Sequence, residues 1–293
     1  MSEHIVGFCR FSFWGRGDWG AYARTKPGSE AETEAMRRTH AALYDEARLE
    51  FRFRSFEMLT LASLAAQTNR DFSFVVLSSA AMPAPWRDRL TALCAEQPSI
   101  RLIFSEARDV GSALAPVLNE LSMGCRVPLI QFRLDDDDCV STDYIAHLAA
   151  AARAMQDYPA FAFSLPRGLV MTRYQGADPQ CYEFRRPFHG GGAALRLPKA
   201  DRSLFAYGHY ALMQRFPSLA DPRPHGSLQL KFEGHDSRRV VPGSNSGISP
   251  ITSGDFDQIL AKNFPFLNQS DLWSLTSVHA PRPHSEGDLK VIE

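Results

Sequence analysis

Val127-Pro128-Leu129-Ile130-Gln131-Phe132-Arg133-Leu134 runs straight into Asp135-Asp136-Asp137-Asp138-Cys139-Val140-Ser141. The apolar run has the length and composition of a strand. Pro128 suits a strand's opening residue, because deeper inside it would remove a ladder donor. Four adjacent carboxylates repel one another. At neutral pH they stay ionised only where water, a cation or basic groups take up the field. Taken alone, an acidic run is a solvated turn. Its place argues otherwise, since ligands of open α/β sheets bind at the carboxyl ends of the strands and these acids fall at such an end. Hard carboxylate oxygens without a sulfur cluster suit Mg2+, Mn2+ or Ca2+.

Upstream, residues 5–13 form a first strand, and Gly15-Arg16-Gly17-Asp18-Trp19-Gly20 opens a loop over 14–32. A loop of that length in a compact domain is often functional. A helix is expected over 31–50. Arg48, Arg52 and Arg54 then interleave with Phe51, Phe53 and Phe56, a pattern that predicts a short strand with one buried and one basic face. Such a face could be a solvated edge or a phosphate contact. Residues 56–68 have helical spacing, 72–78 and 100–104 strand composition, and Pro83 opens a helix with Leu90, Leu93 and Cys94 on one face. With a third helix over 111–122, strands alternate with helices, which argues a parallel sheet of βαβ units.

Downstream, Ser141 is expected to cap a helix over 142–156. Short strands are expected at 160–165, 168–174 and 180–186, taken as antiparallel. His189-Gly190-Gly191-Gly192 is a loop that either hinges or lets backbone approach a sugar. It leads to a strand at 193–197, a helical stretch at 203–216, and a strand at 228–232 ending in Glu233-Gly234-His235-Asp236. A helical patch follows at 255–263, and the tail from 277 is peripheral. The division implied is residues 1–140 as one half of a single domain, 141–276 as the other, and 277–293 as the tail.

Composition narrows the function. The 293 residues carry a net charge of −1, so bulk charge gives no case for nucleic acid or anionic membrane. No apolar run is long enough to span a bilayer, and the N-terminus lacks a basic region followed by an apolar one, so neither a transmembrane segment nor a signal peptide is expected. Five widely spaced cysteines form no C-x-x-C pair, which fits a reducing cytoplasm. Twenty phenylalanines imply a well-filled core or aromatic platforms in a cleft.

The order of parts up to Asp138 resembles glycosyltransferases of the GT-A fold, an α/β Rossmann-like architecture with a smaller mixed, acceptor-side part. The helix ending in Ala66-Gln67-Thr68-Asn69-Arg70-Asp71-Phe72, together with Arg133-Leu134-Asp135-Asp136-Asp137-Asp138, is similar to the bacterial rhamnosyltransferase family over roughly residues 50–240. The resemblance implies a nucleotide-sugar donor (dTDP-, UDP- or GDP-linked) and a divalent cation, Mn2+ or Mg2+, held by a D-x-D motif. The family name implies rhamnose. The acceptor would be a glycan, a lipid-linked saccharide or a protein side chain, and the location cytoplasmic or peripheral at the inner face of the membrane.

Carried onto this sequence, the resemblance assigns Asp137 to the metal first, with Asp138 and His235 completing the set. Asp135 and Asp136 would contact the donor, with Arg10, Arg54 and His189 as further donor contacts. Side chains alternate along a strand, so Asp135 and Asp137 would share one face and Asp136 and Asp138 the other; if the strand ends early, the second pair competes for the cation. The acceptor hydroxyl must lose a proton, and Asp236, Glu233 and Asp255 are the candidate bases. Two rivals stand beside this reading. Asp136-Asp137-Asp138-Cys139-Val140 fits the motif of haloacid-dehalogenase-like phosphatases, although that motif belongs on a domain's first strand. A non-enzymatic calcium- or carbohydrate-binding module explains the acids but not the βαβ winding. No Gly-rich phosphate loop is present.

Overall fold

Ile5–Arg10 (β1) alternates its side chains between two cores: Ile5 and Cys9 point to one, Val6 and Phe8 to the other, all buried. In the computed structural model, which describes residues 4–16, 24–123, 128–174, 178–199, 201–232, 240, 243 and 246–277, this strand is central to a seven-stranded sheet. It pairs in parallel with Ser73–Ser79 (β2) and Ile130–Arg133 (β4), and β2 pairs in parallel with Ile100–Ser105 (β3). Gly7 is required here. A Cβ would lie 2.3 Å from the rings of both Phe74 and Phe132, which meet across β1.

The sheet is extended by Phe161–Ser164 (β6), Ala194–Arg196 (β9) and Ser218–Ala220 (β10) in the order β10-β6-β9-β4-β1-β2-β3, with β9 antiparallel to both neighbours. A second sheet contains Asp138–Val140 (β5), Arg167–Arg173 (β7), Gln180–Arg185 (β8), His225–Phe232 (β11) and Ile248–Pro250 (β12), ordered β12-β8-β7-β11-β5. The central, mostly parallel sheet flanked by helices is the GT-A-like α/β architecture expected. The three strands after residue 160 are divided differently from expectation. β6 joins the large sheet, while β7 pairs antiparallel with β8 and parallel with β11.

Helices cover both faces of the large sheet. Glu30–Leu43 (α1) is capped by Ser29 and Glu46–Ser55 (α2) by Asp45, each side chain accepting from a first-turn N–H. α2 runs unbroken through a π-helical stretch, Phe56–Leu61, into Ala62–Ala65 (α3). The short strand expected over 51–56 is therefore helix. The Phe-Arg alternation imitates period 2, but Leu49, Phe53, Phe56 and Thr60 recur at helical spacing and are all fully buried. Phe53 and Phe56 meet the Phe11 ring at 4.8 and 5.0 Å, while Phe51 and Leu59 point the other way, into the core of the second sheet. The helix thus lies between the two sheets.

Ala84–Ala95 (α4) and Tyr144–Ala154 (α6) complete that face. On the opposite face Val110–Ser122 (α5) buries Val110, Ala113, Leu114, Val117 and Leu118. Ser141 does not cap α6. The residue before the helix is Asp143, and the Ser141 hydroxyl makes no hydrogen bond among the described residues. The helix expected over 203–216 is reduced to single turns at Leu204–Ala206 and His209–Ala211 and the short helix Leu212–Arg215 (α7), separated by Tyr207 and Gly208 in extended conformation. Ser253–Asn263 (α8) and Gln269–Ser277 (α9) close the second sheet's core. Among the described residues no helix is long and apolar enough to cross a membrane.

Candidate active site

β4 ends at Arg133, and the four aspartates carry the chain from the first sheet to the second. Leu134 N–H still donates to Phe8 O at 3.1 Å; Asp138 N–H then closes a turn on Asp135 O at 3.3 Å, and Asp138 opens β5 against Gln229 of β11. The acids therefore do not alternate along a strand, because the strand has already ended. The turn rests on the helix between the sheets. The Ser55 hydroxyl donates to Asp136 O at 3.1 Å. The Thr60 hydroxyl lies 3.1 Å from Asp135 O and 3.0 Å from Asp138 O, sharing one proton between them. Thr60 sits in the π-helical stretch, a local widening common at functional sites.

Arginines face the carboxylates. Arg133 Nη2 donates to Asp135 Oδ2 at 2.7 Å, and Arg10 Nη2 stands 3.6 Å from Oδ1. Burial pushes the Asp135 carboxyl up, but Arg133 and Arg10 outweigh it and hold it below the usual range. Arg52 spans the next two acids, at 3.4 Å from Asp136 Oδ1 and 2.6 Å from Asp137 Oδ2. Asp136 is 1% exposed and its Oδ2 has no hydrogen-bond partner among the described residues. Burial pushes it up to about 7 against the pull of Arg52. Among the described residues the Asp138 carboxylate has one side-chain hydrogen-bond contact, a long 3.4 Å approach from Gln229 Nε2. Burial, reinforced by the charge on Asp137, pushes it up to about 8. The turn is thus polarised, with guanidinium groups crowding Asp135 and under-neutralised carboxylates at the Asp138 end.

A sequence-family model described as "Putative rhamnosyl transferase" matches residues 4–244. The chain belongs to this family of glycosyltransferases. No curated protein matches it significantly. Solved structures similar to it include S. aureus TarS 1-349, at 8% identity over 78% of this chain and 60% of that one, TM-score 0.38. The same protein in complex with UDP aligns at 7% identity over 94% and 70%, TM-score 0.41. A nucleotide-diphospho-sugar transferase described as putative, from Desulfovibrio desulfuricans G20, aligns at 10% identity over 79% and 81%, TM-score 0.33. The chain spans less than two thirds of the first of these.

In this member of the family the stretch Ala66-Gln67-Thr68 is structural. Gln67 is 1% exposed; its Nε2 donates to Ser63 O and Ser141 O, both at 2.8 Å, and its Oε1 accepts from Ile145 N–H at 3.0 Å. Thr68 N–H donates to Thr142 O and its hydroxyl to Asp143. One buried amide thereby ties the end of α3 to the segment leaving the acid turn.

His189 is 4% exposed behind that turn. Gly191 N–H donates to its Nδ1 at 3.2 Å, which leaves the proton on Nε2 to donate to Ser227 Oγ at 3.0 Å. Burial, then the charge of His209, push its pKa down to about 3, so the ring is neutral. A Cβ at Gly191 would touch both His189 Cε1 (3.2 Å) and Asp138 Oδ2 (3.4 Å), which sets the backbone against the acids. Arg54 is half-buried on α2 and makes none of the contacts that Arg52 makes. Asp255 is exposed and occupied in capping α8, exchanging bonds with Thr252 at 2.7 and 3.0 Å. Glu233, His235 and Asp236 lie outside the described residues; β11, which leads to them, passes Asp138 at Gln229.

Arg52 and Arg133 are the basic groups that touch the acids most closely. The sequence signal for Arg133 was its place two residues before the acidic run; Arg52, inside the Phe-Arg alternation, carried none. The donor chemistry fits a hard divalent cation. The acid turn supplies carboxylate oxygens, and burial raises Asp136 and Asp138, so a cation would favour their ionised forms. Among the described residues no three Asp, Glu, His or Cys converge as a complete ligand set.

Proposed function

We propose that this glycosyltransferase moves a sugar, rhamnose by the family's description, from a nucleoside-diphosphate donor to an acceptor hydroxyl, with a divalent cation, Mn2+ or Mg2+, at the acid turn. The observation that carries the reading is the polarised turn at the carboxyl ends of β1 and β4, where ligands of such sheets bind. Asp137 and Asp138 would hold the cation, with His235 beyond β11 as the third ligand. A bound cation supplies Lewis-acid stabilisation of charge on a diphosphate oxygen.

The remaining chemistry falls to the protein. Arg10 and Arg133 neutralise the departing diphosphate. A carboxylate, Asp236 or Glu233, accepts the acceptor's proton on the opposite face. The donor's base is left to a panel of dTDP, UDP and GDP. A glycan, lipid-linked saccharide or protein acceptor suits the second half of the chain, and the four cysteines among the described residues, all free, suit a cytoplasmic setting. The phosphatase alternative asks Asp136 to be a nucleophile, yet that side chain is buried and turned onto Arg52.

Isothermal titration with dTDP, UDP and GDP, with and without Mn2+, tests the reading beside Asp137→Ala. Cation-dependent binding of one nucleotide, lost in the variant, supports it. Absence of nucleotide binding, with phosphoester hydrolysis abolished by Asp136→Ala, overturns it.

A further inference from the structure

Arg10 and Arg133 leave adjacent parallel strands and converge on three things at once. Both guanidinium groups contact Asp135. Both also lie over one aromatic ring, that of Phe205, at 4.7 Å for Arg10 and 5.5 Å for Arg133. His209, from the next turn of chain, is buried beside them; burial and then the charge of Arg133 push it down to about 4, so it adds no positive charge of its own. Arg133 is engaged through Nη2, and its Nε is buried without a hydrogen-bond partner among the described residues.

A salt bridge needs one arginine per carboxylate. Here two guanidiniums are assembled on one half-buried acid and stacked on a shared ring, which fixes their planes and spacing. Fixed planar donors match the tetrahedral oxygens of a phosphate, where each guanidinium can engage two at once. A cation over an aromatic face retains that attraction when a ligand desolvates it.

From this geometry we infer that Arg10, Arg133 and Phe205 form the anion side of the donor site and grip the β-phosphate of the nucleoside diphosphate, with Asp135 as the acid that positions the two arginines. The inference rests on the nucleotide-sugar reading. It assigns Asp135 to the arginines and leaves the cation to the acids further along the turn. Phe205 is a positioning residue, since it acts through the guanidiniums.

The test compares nucleoside diphosphates with the corresponding monophosphates. Titrations of wild type, Arg133→Gln, Arg133→Lys and Phe205→Leu are run in excess Mn2+. Arg133→Gln should weaken diphosphate binding about tenfold or more, the worth of one charged hydrogen-bonded contact, and monophosphate binding far less. Arg133→Lys should recover part of the loss, and Phe205→Leu should show a smaller loss with the same preference for the diphosphate. Equal losses for both nucleotides, or no loss in Arg133→Gln, overturn the inference. If Arg133→Gln fails to fold, an unchanged diphosphate-to-monophosphate ratio in a folded Phe205→Leu overturns it. Wild type that binds no nucleotide removes the donor reading itself, and this assignment with it.

Discussion

Arg52 lies across the acid turn with Nη1 2.6 Å from Asp137 Oδ2 and Nη2 3.4 Å from Asp136 Oδ1. All three side chains are nearly buried, so the guanidinium is the counter-charge that allows two adjacent carboxylates to be enclosed. Arg52→Gln should lower the stability of the metal-free protein by about 3 kcal/mol, the cost of leaving a buried charge without its partner. A divalent cation takes up the same field. Mn2+ should therefore raise the melting temperature of the variant more than that of wild type. Differential scanning fluorimetry in EDTA and in Mn2+ reads both effects; equal cation shifts in the two proteins would refute this role.

The pH dependence has a clean window. Asp136 and Asp138 are raised by burial from 3.8 to about 7 and about 8. Between those limits the folded chain holds more protons than the unfolded chain, so stability falls as pH rises. His189 and His209 act in the opposite sense, lowered by burial from 6.5 to about 3 and about 4, and cost stability as pH falls below 6.5. From pH 6.5 to 8, among the described residues, the shifted groups that change charge are these two acids. Urea midpoints in EDTA should decline across that interval and stay level in saturating Mg2+.

The acid turn and the βαβ winding up to Asp138 are legible in the sequence because strand composition, turn signals and charge agree there. Arg52 is not. Phe51-Arg52-Phe53-Arg54 satisfies a period of two over four residues, and only the longer series Leu49, Phe53, Phe56, Thr60 shows that a helix runs through it. The partners that decide a role are remote in sequence. Arg52 and Asp137, or Arg10 and Asp135, are brought together by packing that no local pattern records. Phe205 stood in a stretch read as continuous helix; Tyr207 and Gly208, both extended, break that stretch just beyond the single turn that carries it.

Gln67 offers a test of the frame apart from the chemistry. Gln67→Leu keeps the volume but leaves Ser141 O and Ile145 N–H buried without their partners. Each such group costs on the order of 1–3 kcal/mol, so the variant should lose about 3 kcal/mol in urea unfolding. Cation affinity should weaken in step, because Ser141 follows the acid turn by three residues. A loss below about 1 kcal/mol would mean that the site tolerates water or rearranges.

Asp138 separates the price of the site from its use. A buried carboxyl with one long contact from Gln229 is poorly satisfied once ionised. Asp138→Asn removes the ionisation while keeping shape and hydrogen-bonding capacity. In EDTA at pH 8 the variant should be more stable than wild type, and the difference should shrink as pH falls and vanish below about 3.8, where Asp138 is protonated in the folded and the unfolded chain alike. The same substitution removes one of the three proposed cation ligands, so nucleotide binding in Mn2+ should fall at least tenfold, a loss of about 1.4 kcal/mol. Gained metal-free stability together with lost cation-dependent binding marks an acid retained for its ligand. Higher stability with binding intact would remove Asp138 from the cation site and leave Asp137 to hold it with groups beyond β11.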